Sequence, residues 1–183
     1  MRIIAGRWKG HRLGTVRGRG VRPTSDRLRE AWMSALGERV QGARVVDHFA
    51  GSGALGLEAL SRGAASVVFV ERARGALAAL RANVERLGAG DAAVVREAEV
   101  FRFLASVEEP FDLALADPPY EGGWAARLVE RFLAEPFARE LWVEHRWRDP
   151  LPLPEGARTR RYGGSALSTL SAGLASTRPE EGP

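Results

Sequence analysis

The stretch Val45-Val46-Asp47-His48-Phe49-Ala50-Gly51-Ser52-Gly53-Ala54-Leu55-Gly56 runs from an apolar segment through a glycine-spaced turn into a helical pattern that continues with Ala59 and Leu60. Glycines at 51, 53 and 56 form a literal GxGxxG between a predicted strand and a predicted helix. Glycine there lets the chain turn sharply and lets backbone approach a ligand closely. Twenty residues beyond Gly51, the apolar run Val67-Val68-Phe69-Val70 ends at Glu71, a carboxylate able to accept hydrogen bonds from two ribose hydroxyls.

Strand–helix alternation continues outward. Leu77, Leu80, Val84 and Leu87 lie on one helical stripe, residues 93–95 give a third strand, and 111–116 give a fourth ending at Asp117. A helix over 124–133, a strand over 141–144 and a closing hairpin of 159–162 with 166–174 follow, the last two joined by Gly163-Gly164. Upstream, Pro23-Thr24-Ser25-Asp26 supplies helix-start residues for a helix bearing Leu28, Ala31, Trp32, Ala35 and Leu36, and Gly37 closes it. Residues 1–22 predict a small hairpin or extended arm built on Arg2-Ile3-Ile4-Ala5 and His11-Arg12-Leu13. Near-continuous apolar strands separated by amphipathic helices predict an α/β, Rossmann-like fold. Its mostly parallel, seven-stranded sheet is covered by helices on both faces. The expected layout is a basic N-terminal arm over 1–24, a catalytic domain over 25–176 and a flexible tail over 177–183. Ligands of such sheets bind at the carboxyl ends of the strands, and Asp47, Glu71, Glu99 and Asp117 stand there.

Composition excludes several function classes. The 183 residues contain no cysteine, which removes disulfides, thiolate chemistry and cysteine-ligated metals. His11, His48 and His145 lie far apart in no metal-binding spacing, so no metal is expected. Apolar runs are far shorter than a membrane helix needs, and the opening residues lack a signal-peptide core; a cytoplasmic protein with no membrane partner, and a monomer, is expected. A single Asn83, a single Gln41 and the absence of cysteine fit a thermophile. Charge is uneven: residues 1–30 carry nine Arg or Lys against Asp26 and Glu30, whereas the rest of the chain is net −3. A GC-rich genome also writes arginine for lysine, but that does not cluster the charge at the front. A basic arm of Arg2, Arg7, Lys9, Arg12, Arg17, Arg19 and Arg22, with Trp8 available to stack, points to RNA.

The glycine loop and Glu71 suit a nicotinamide dinucleotide and S-adenosylmethionine equally. Two features separate them. Asp47 precedes the glycines, where it repels a pyrophosphate and suits the cationic methionine end and sulfonium of S-adenosylmethionine. The second is Asp117-Pro118-Pro119-Tyr120. Two prolines lock the backbone and leave carbonyls as acceptors, Asp117 adds a carboxylate, and Tyr120 adds a flat face. A planar base bearing an exocyclic amine needs that combination. Hydrogen bonds to Asp117 and the Pro118 carbonyl orient the amine nitrogen for attack on a methyl group. An adenine-N6 methyltransferase on RNA or DNA fits the same acceptors. A non-enzymatic ribosome-assembly RNA-binding protein is a further alternative, and an NAD oxidoreductase lacks an evident hydride-transfer acid or base.

Asp47 with Gly51-Ser52-Gly53, Glu71 and Asp117-Pro118-Pro119-Tyr120 together resemble class I S-adenosylmethionine-dependent methyltransferases that methylate amines. More narrowly, Arg2-Ile3-Ile4-Ala5-Gly6, Arg22-Pro23-Thr24-Ser25-Asp26-Arg27, the run from Phe49 through Glu58-Ala59-Leu60-Ser61-Arg62-Gly63, and Arg161-Tyr162-Gly163 resemble the RsmD family. That resemblance implies methylation of the exocyclic N2 of a guanine in bacterial 16S rRNA, naked or in the 30S subunit. By position it implies Asp117, Pro118, Pro119 and Tyr120 as the catalytic set. It implies Asp47, Phe49, Ala50, Gly51 and Gly53 at the methionine end of the cofactor, and Glu71 at its ribose. Glu99-Val100, where the family usually has Asp-Ala, falls at the adenine. Arg2, Arg7, Lys9, Arg12, Arg22 and Thr24 are the implied RNA contacts. Arg72 follows Glu71 where the family often carries another acid. His48 stands where a hydrophobic residue is commoner and is expected to be structural or solvent-exposed.

Overall fold

The structure, a computed structural model, describes residues 1–15 and 26–173. The expectations placed on Arg17, Arg19, Arg22, Thr24, the helix-start residues 23–25 and the tail 177–183 fall outside the described residues. Helix α1 spans Asp26–Leu36 and is followed by a 3-10 turn, Gly37–Val40. Strand β1 (Arg44–His48), α2 (Ala54–Ser61), β2 (Ser66–Glu71), α3 (Arg74–Leu87), β3 (Ala93–Glu97) and α4 (Val100–Leu104) come next. The chain continues with β4 (Phe111–Ala116), α5 (Trp124–Ala134), β5 (Ala138–Arg146), β6 (Arg158–Tyr162) and β7 (Ser165–Ser171).

The seven strands form one sheet in the order β3-β2-β1-β4-β5-β7-β6. The five from β3 to β5 run parallel, and β7 is antiparallel to both β5 and β6. Side chains alternate across β1: Val45 joins the core on one face with α1, α2 and α3, and Val46 joins the core on the other with α4 and α5. The fold is therefore the expected α/β sheet with helices on both faces, reversing its strand order at β1 and β4. That reversal opens a crevice at their carboxyl ends, beside Asp47 and Asp117.

Two local readings change. Helix α4 was not predicted: five residues show too little periodicity, and its start depends on Glu99, which accepts from Arg102 N at 2.9 Å as an N-cap. Strand β5 runs nine residues rather than four, because its ladder to β7 extends from Glu140 to Arg146.

Helix α2 is buried at every residue. Its inner side meets the sheet, and residues 1–13 cover its outer side. The arm closes on itself through the antiparallel bridge Arg2–Arg12 and buries Ile3, Trp8 and Leu13 in the main core. Trp8, expected to offer its ring to RNA, is only 7% exposed and packs inward. Glu58, fully buried, accepts from the amides of Ile4 (2.8 Å) and Ala5 (3.0 Å) and from Arg62 Nε (2.8 Å), with Arg29 Nε at 3.7 Å. Ser61 Oγ accepts from Trp8 N at 3.0 Å and donates to Ala5 O at 2.6 Å. A buried carboxylate is tolerated because these donors replace its water. Gly6, at φ +80°, lies where a Cβ would stand 1.8 Å from Ser61 O, so only glycine allows this docking.

Candidate active site

The site is built at the carboxyl edge of β1, β2 and β4. After β1 the chain passes through Phe49, whose φ of 59° is unusual for a side-chain-bearing residue, then through Gly51 (φ 57°) and Gly53 (φ 83°) into α2. Ala50 N donates to Val70 O at 3.1 Å and Gly53 N to Ala50 O at 2.8 Å, holding the loop against β2. A Cβ at Gly53 would lie 2.3 Å from Leu80 Cδ1, and one at Gly56 would lie 2.4 Å from Phe69 Cε1 and 2.9 Å from Asp47 Oδ2. The glycine pattern thus permits both the turn and close helix–sheet packing.

Two carboxylates grip this loop. Asp47, 1% exposed, accepts from Gly56 N at 2.9 Å. Burial pushes its carboxyl up to about 7; the Gly56 amide works against that shift and the charge of Glu71 adds to it. Glu71 Oε2 accepts from Gly51 N at 2.9 Å, and its Oε1 accepts from Arg72 N (2.7 Å) and Ala73 N (2.8 Å). Three acceptances leave one of the roughly four lone-pair directions of that carboxylate for a ligand. A buried acid whose ionisation costs energy, beside a second acid, favours a cation arriving between them.

The acceptor side follows β4. Pro118 is buried, Pro119 is exposed, and Asp117 and Tyr120 are half-buried. The Tyr120 hydroxyl donates to Glu144 Oε1 at 2.7 Å; having one proton, it then accepts from Ser165 Oγ, also at 2.7 Å. Glu144 on β5 is 3% exposed. The Arg146 guanidinium lies 5.0 Å from the centroid of the Tyr120 ring, which is therefore fixed at its hydroxyl end and faced by a cation.

An aromatic wall joins the two halves. Phe101 of α4 stacks on Trp124 of α5 at 6.0 Å, and Phe49 meets Trp124 at 6.1 Å. Arg127 lies 4.5 Å from the Phe101 centroid and 5.0 Å from that of Trp124, with Arg72 at 5.8 Å from Trp124. Val100 is buried beside this wall, and Glu99 spends one oxygen on the α4 cap. His48 is fully buried, edge-on to Phe137 at 5.4 Å and Phe103 at 6.2 Å. Burial holds its imidazole at about 3, so it is a neutral core residue.

Asp47, Phe49, Ala50, Gly51, Gly53, Glu71, Glu99, Val100 and 117–120 are thus gathered at one edge of the sheet. The basic arm is spread more widely. Arg2, Arg7, Lys9 and Arg12 are exposed, but Arg7 N is bonded to Ser61 O at the last turn of α2, about 12 Å along that helix from the glycine loop. Among the described residues of the arm, Gly14 is tied to the glycine loop. Asn83 Nδ2 donates to Gly14 O at 3.0 Å and to Ser52 O at 2.9 Å, while its Oδ1 accepts from Gly14 N at 2.7 Å. Asn83, Glu144, Ser165 and the Phe101–Trp124 pair escape a reading of the sequence. The one signal was Asn83, a lone amide on an otherwise apolar helical stripe. No group of His, Cys, Asp or Glu suited to a metal occurs among the described residues, and no helix among them is long and apolar enough to cross a membrane.

Residues 1–149 match the model of a family described as Conserved hypothetical protein 95. The chain belongs to that family. It is the RsmD family that its motifs resemble, and the Escherichia coli protein "Ribosomal RNA small subunit methyltransferase D" is 42% identical over 123 residues. That match takes in 67% of this chain and 62% of the relative, so the chain spans somewhat under two thirds of the relative's length. A solved hypothetical protein of Thermus thermophilus superposes with a TM-score of 0.82 at 34% identity, over 93% of this chain and 99% of that one. A 16S rRNA N2 methyltransferase of Thermus thermophilus, solved with AdoMet and guanosine, superposes at a TM-score of 0.64 and 25% identity, covering 82% of this chain and 43% of that one. The fold of this family member is that of the class I methyltransferases.

Proposed function

We propose that the chain transfers a methyl group from S-adenosylmethionine to the exocyclic N2 amine of a guanine in bacterial 16S rRNA, in the cytoplasm and as a monomer. The observation that carries this reading is the convergence, at one sheet edge, of a cation-favouring pocket (Asp47, Gly51, Gly53, Glu71) with amine acceptors (Asp117 and the Pro118 carbonyl). The family relative named as a small-subunit rRNA methyltransferase and the structural relative solved with AdoMet and guanosine support it.

The pocket residues fit S-adenosylmethionine: a buried carboxyl held near 7 ionises more readily beside a positive group, and the left-handed glycines leave backbone open for close approach. When bound, that cofactor supplies an electrophilic methyl and leaves as S-adenosylhomocysteine. Asp47 and the Gly51–Gly53 backbone hold its methionine end, and Glu71 holds a ribose hydroxyl on its remaining lone pair. Glu99 and Val100, beside the Phe101–Trp124 wall, would take its adenine.

On the acceptor side Asp117 and Pro118 O take the two amine hydrogens, pointing the nitrogen lone pair at the methyl position. No strong base is needed before attack, because the proton is acidic once the nitrogen is alkylated; the Asp117 carboxylate receives it. Tyr120, anchored by Glu144 and Ser165, presents its ring face to the base. Arg2, Arg7, Lys9, Arg12, Arg22 and Thr24 bind RNA phosphates, and an unpaired or flipped guanine enters the pocket.

The test is methyl-labelled S-adenosylmethionine with 30S particles and with naked 16S rRNA from a strain lacking this gene, followed by digestion to nucleosides. Label in N2-methylguanosine is the expected result, and the better substrate shows when in assembly the protein acts. Label in N6-methyladenosine overturns the guanine assignment in favour of adenine.

A further inference from the structure

Beyond the acceptor pocket, the turn after β5 and the edge strand β6 carry an aromatic and basic surface that the reaction above does not use. Trp147, 44% exposed, is one of only two large hydrophobic side chains open to solvent among the described residues. Arg161 lies with its guanidinium 5.2 Å from the Trp147 ring centroid, and its Nε donates to Gly163 O at 2.9 Å. Residues 146–164 hold Arg146, Arg148, Arg158, Arg160 and Arg161 against Asp149 and Glu155. None of those five arginines forms an ion pair among the described residues. Elsewhere on the protein Arg39, Arg44, Arg62, Arg81, Arg131 and Arg139 are all paired with acids. Arg2, Arg7, Lys9 and Arg12 of the arm also form no ion pair among the described residues, so this surface is a second basic patch beside the arm.

The turn that presents Trp147 is pinned. Trp147 N donates to Gly164 O and Asp149 N to Arg146 O, both at 3.0 Å. Buried His145 directs Nδ1 at two carbonyls, Arg146 O (2.9 Å) and Asp149 O (3.1 Å), and its Nε2 meets Ser168 Oγ at 2.9 Å. Ser168 in turn bonds Thr159 Oγ1 on β6 at 2.8 Å. An indole displayed on a turn this constrained loses little freedom when a flat partner stacks on it. The turn also leaves the sheet at the carboxyl end of β5, the edge at which the acceptor pocket stands. Arg146 covers the Tyr120 ring, its β7 partner Ser165 bonds the Tyr120 hydroxyl, and Trp147 is the next residue along.

A rigid, exposed indole with a guanidinium over it, on a surface rich in arginines without ion pairs, suits a π-faced polyanion. We propose that Trp147 and Arg161 form a stacking platform for an unpaired nucleotide of the substrate RNA that flanks the base held at Asp117–Tyr120. This rests on the proposed RNA methylation and extends it to a second contact surface. The target is clamped between the basic arm on one side of the pocket and the β5–β6 surface on the other.

The test measures methylation kinetics and equilibrium binding with in-vitro-transcribed 16S rRNA and with 30S particles. Trp147→Ala is expected to weaken RNA binding and raise KM for RNA about tenfold, the loss of one stacked base, with S-adenosylmethionine affinity unchanged. Trp147→Phe restores most of the loss, and Arg161→Ala loses part of it and reduces the salt dependence of binding. Wild-type affinity and KM in both Trp147→Ala and Arg161→Ala overturn the platform alone. An effect confined to the 30S particle and missing on naked RNA also overturns it, in favour of a ribosomal-protein contact. Should the wild-type chain methylate no RNA, the proposed function falls and the platform with it. Trp147→Phe and Arg161→Ala preserve the test should the alanine variant at 147 fold poorly.

Discussion

Asn83 pairs with Gly14 in both directions, its Nδ2 donating to Gly14 O at 3.0 Å and its Oδ1 accepting from Gly14 N at 2.7 Å. The same Nδ2 donates to Ser52 O in the glycine loop, so one fully buried amide ties the N-terminal arm to the cofactor pocket. Removing it orphans partly buried backbone groups on two segments at once. Asn83→Ala is expected to cost about 2–3 kcal/mol of stability, read by denaturant melting, and to weaken S-adenosylmethionine binding severalfold in titration calorimetry. Wild-type stability in this variant would show that water replaces the amide.

The arm's other attachment is steric. A Cβ at Gly6 would stand 1.8 Å from Ser61 O, whereas one at Gly10, also left-handed at φ +85°, meets nothing within 4 Å. Gly6→Ala is expected to cost about 3 kcal/mol or more and to expose Trp8, read as a red-shifted fluorescence component. Gly10→Ala carries only the backbone penalty, about 1 kcal/mol. Equal losses in the two variants would contradict the docking.

Asp47 makes cofactor binding depend on pH. Its carboxyl is raised from an ordinary value near 3.8 to about 7, chiefly by burial. Between those values the folded protein binds a proton that the unfolded chain lacks. Stability therefore declines as pH rises from about 4 to 7, and levels off once Asp47 is ionised in both states. A cationic ligand selects the ionised form. S-adenosylmethionine affinity is thus expected to rise about tenfold between pH 6 and pH 7.5 in wild type, and to stay flat in Asp47→Asn. A flat wild-type profile would place the cation elsewhere.

Asp117 orients the amine and has no assigned part in holding the cofactor. Asp117→Ala is expected to lower kcat by about a hundredfold or more, with the dissociation constant for S-adenosylmethionine within twofold of wild type. Parallel loss of both would move Asp117 to the cofactor side.

Tyr120 owes its placement to Glu144 and Ser165. Tyr120→Phe keeps the stacking face but removes the hydroxyl, leaving the buried Glu144 without that donor. About tenfold lower kcat/KM and roughly 1–2 kcal/mol lower stability are expected, and Tyr120→Ala should lose considerably more activity than Tyr120→Phe. Identical activity in the two variants would exclude a role for the ring.

The alternation of strands and helices, the glycine turn and the order of Asp47, Glu71, Glu99 and Asp117 along the strand ends were legible from the residues alone. Each rests on periodicity or chemistry within a few neighbours: an apolar run bounded by glycine makes a strand, and the parallel α/β arrangement then places its carboxyl end at the ligand edge. Other features depended on segments remote in sequence. Trp8 is inward because α2 supplies Glu58 and Ser61 to hold the arm over it, some fifty residues away. Tyr120 stands fixed because β5 and β7 bring Glu144 and Ser165 to its hydroxyl, and Trp147 is outward because the β6–β7 turn pins its backbone. Periodicity states which face of an element is apolar. Only packing decides what that face meets, because the partner's contribution to a contact is not encoded in the segment that receives it.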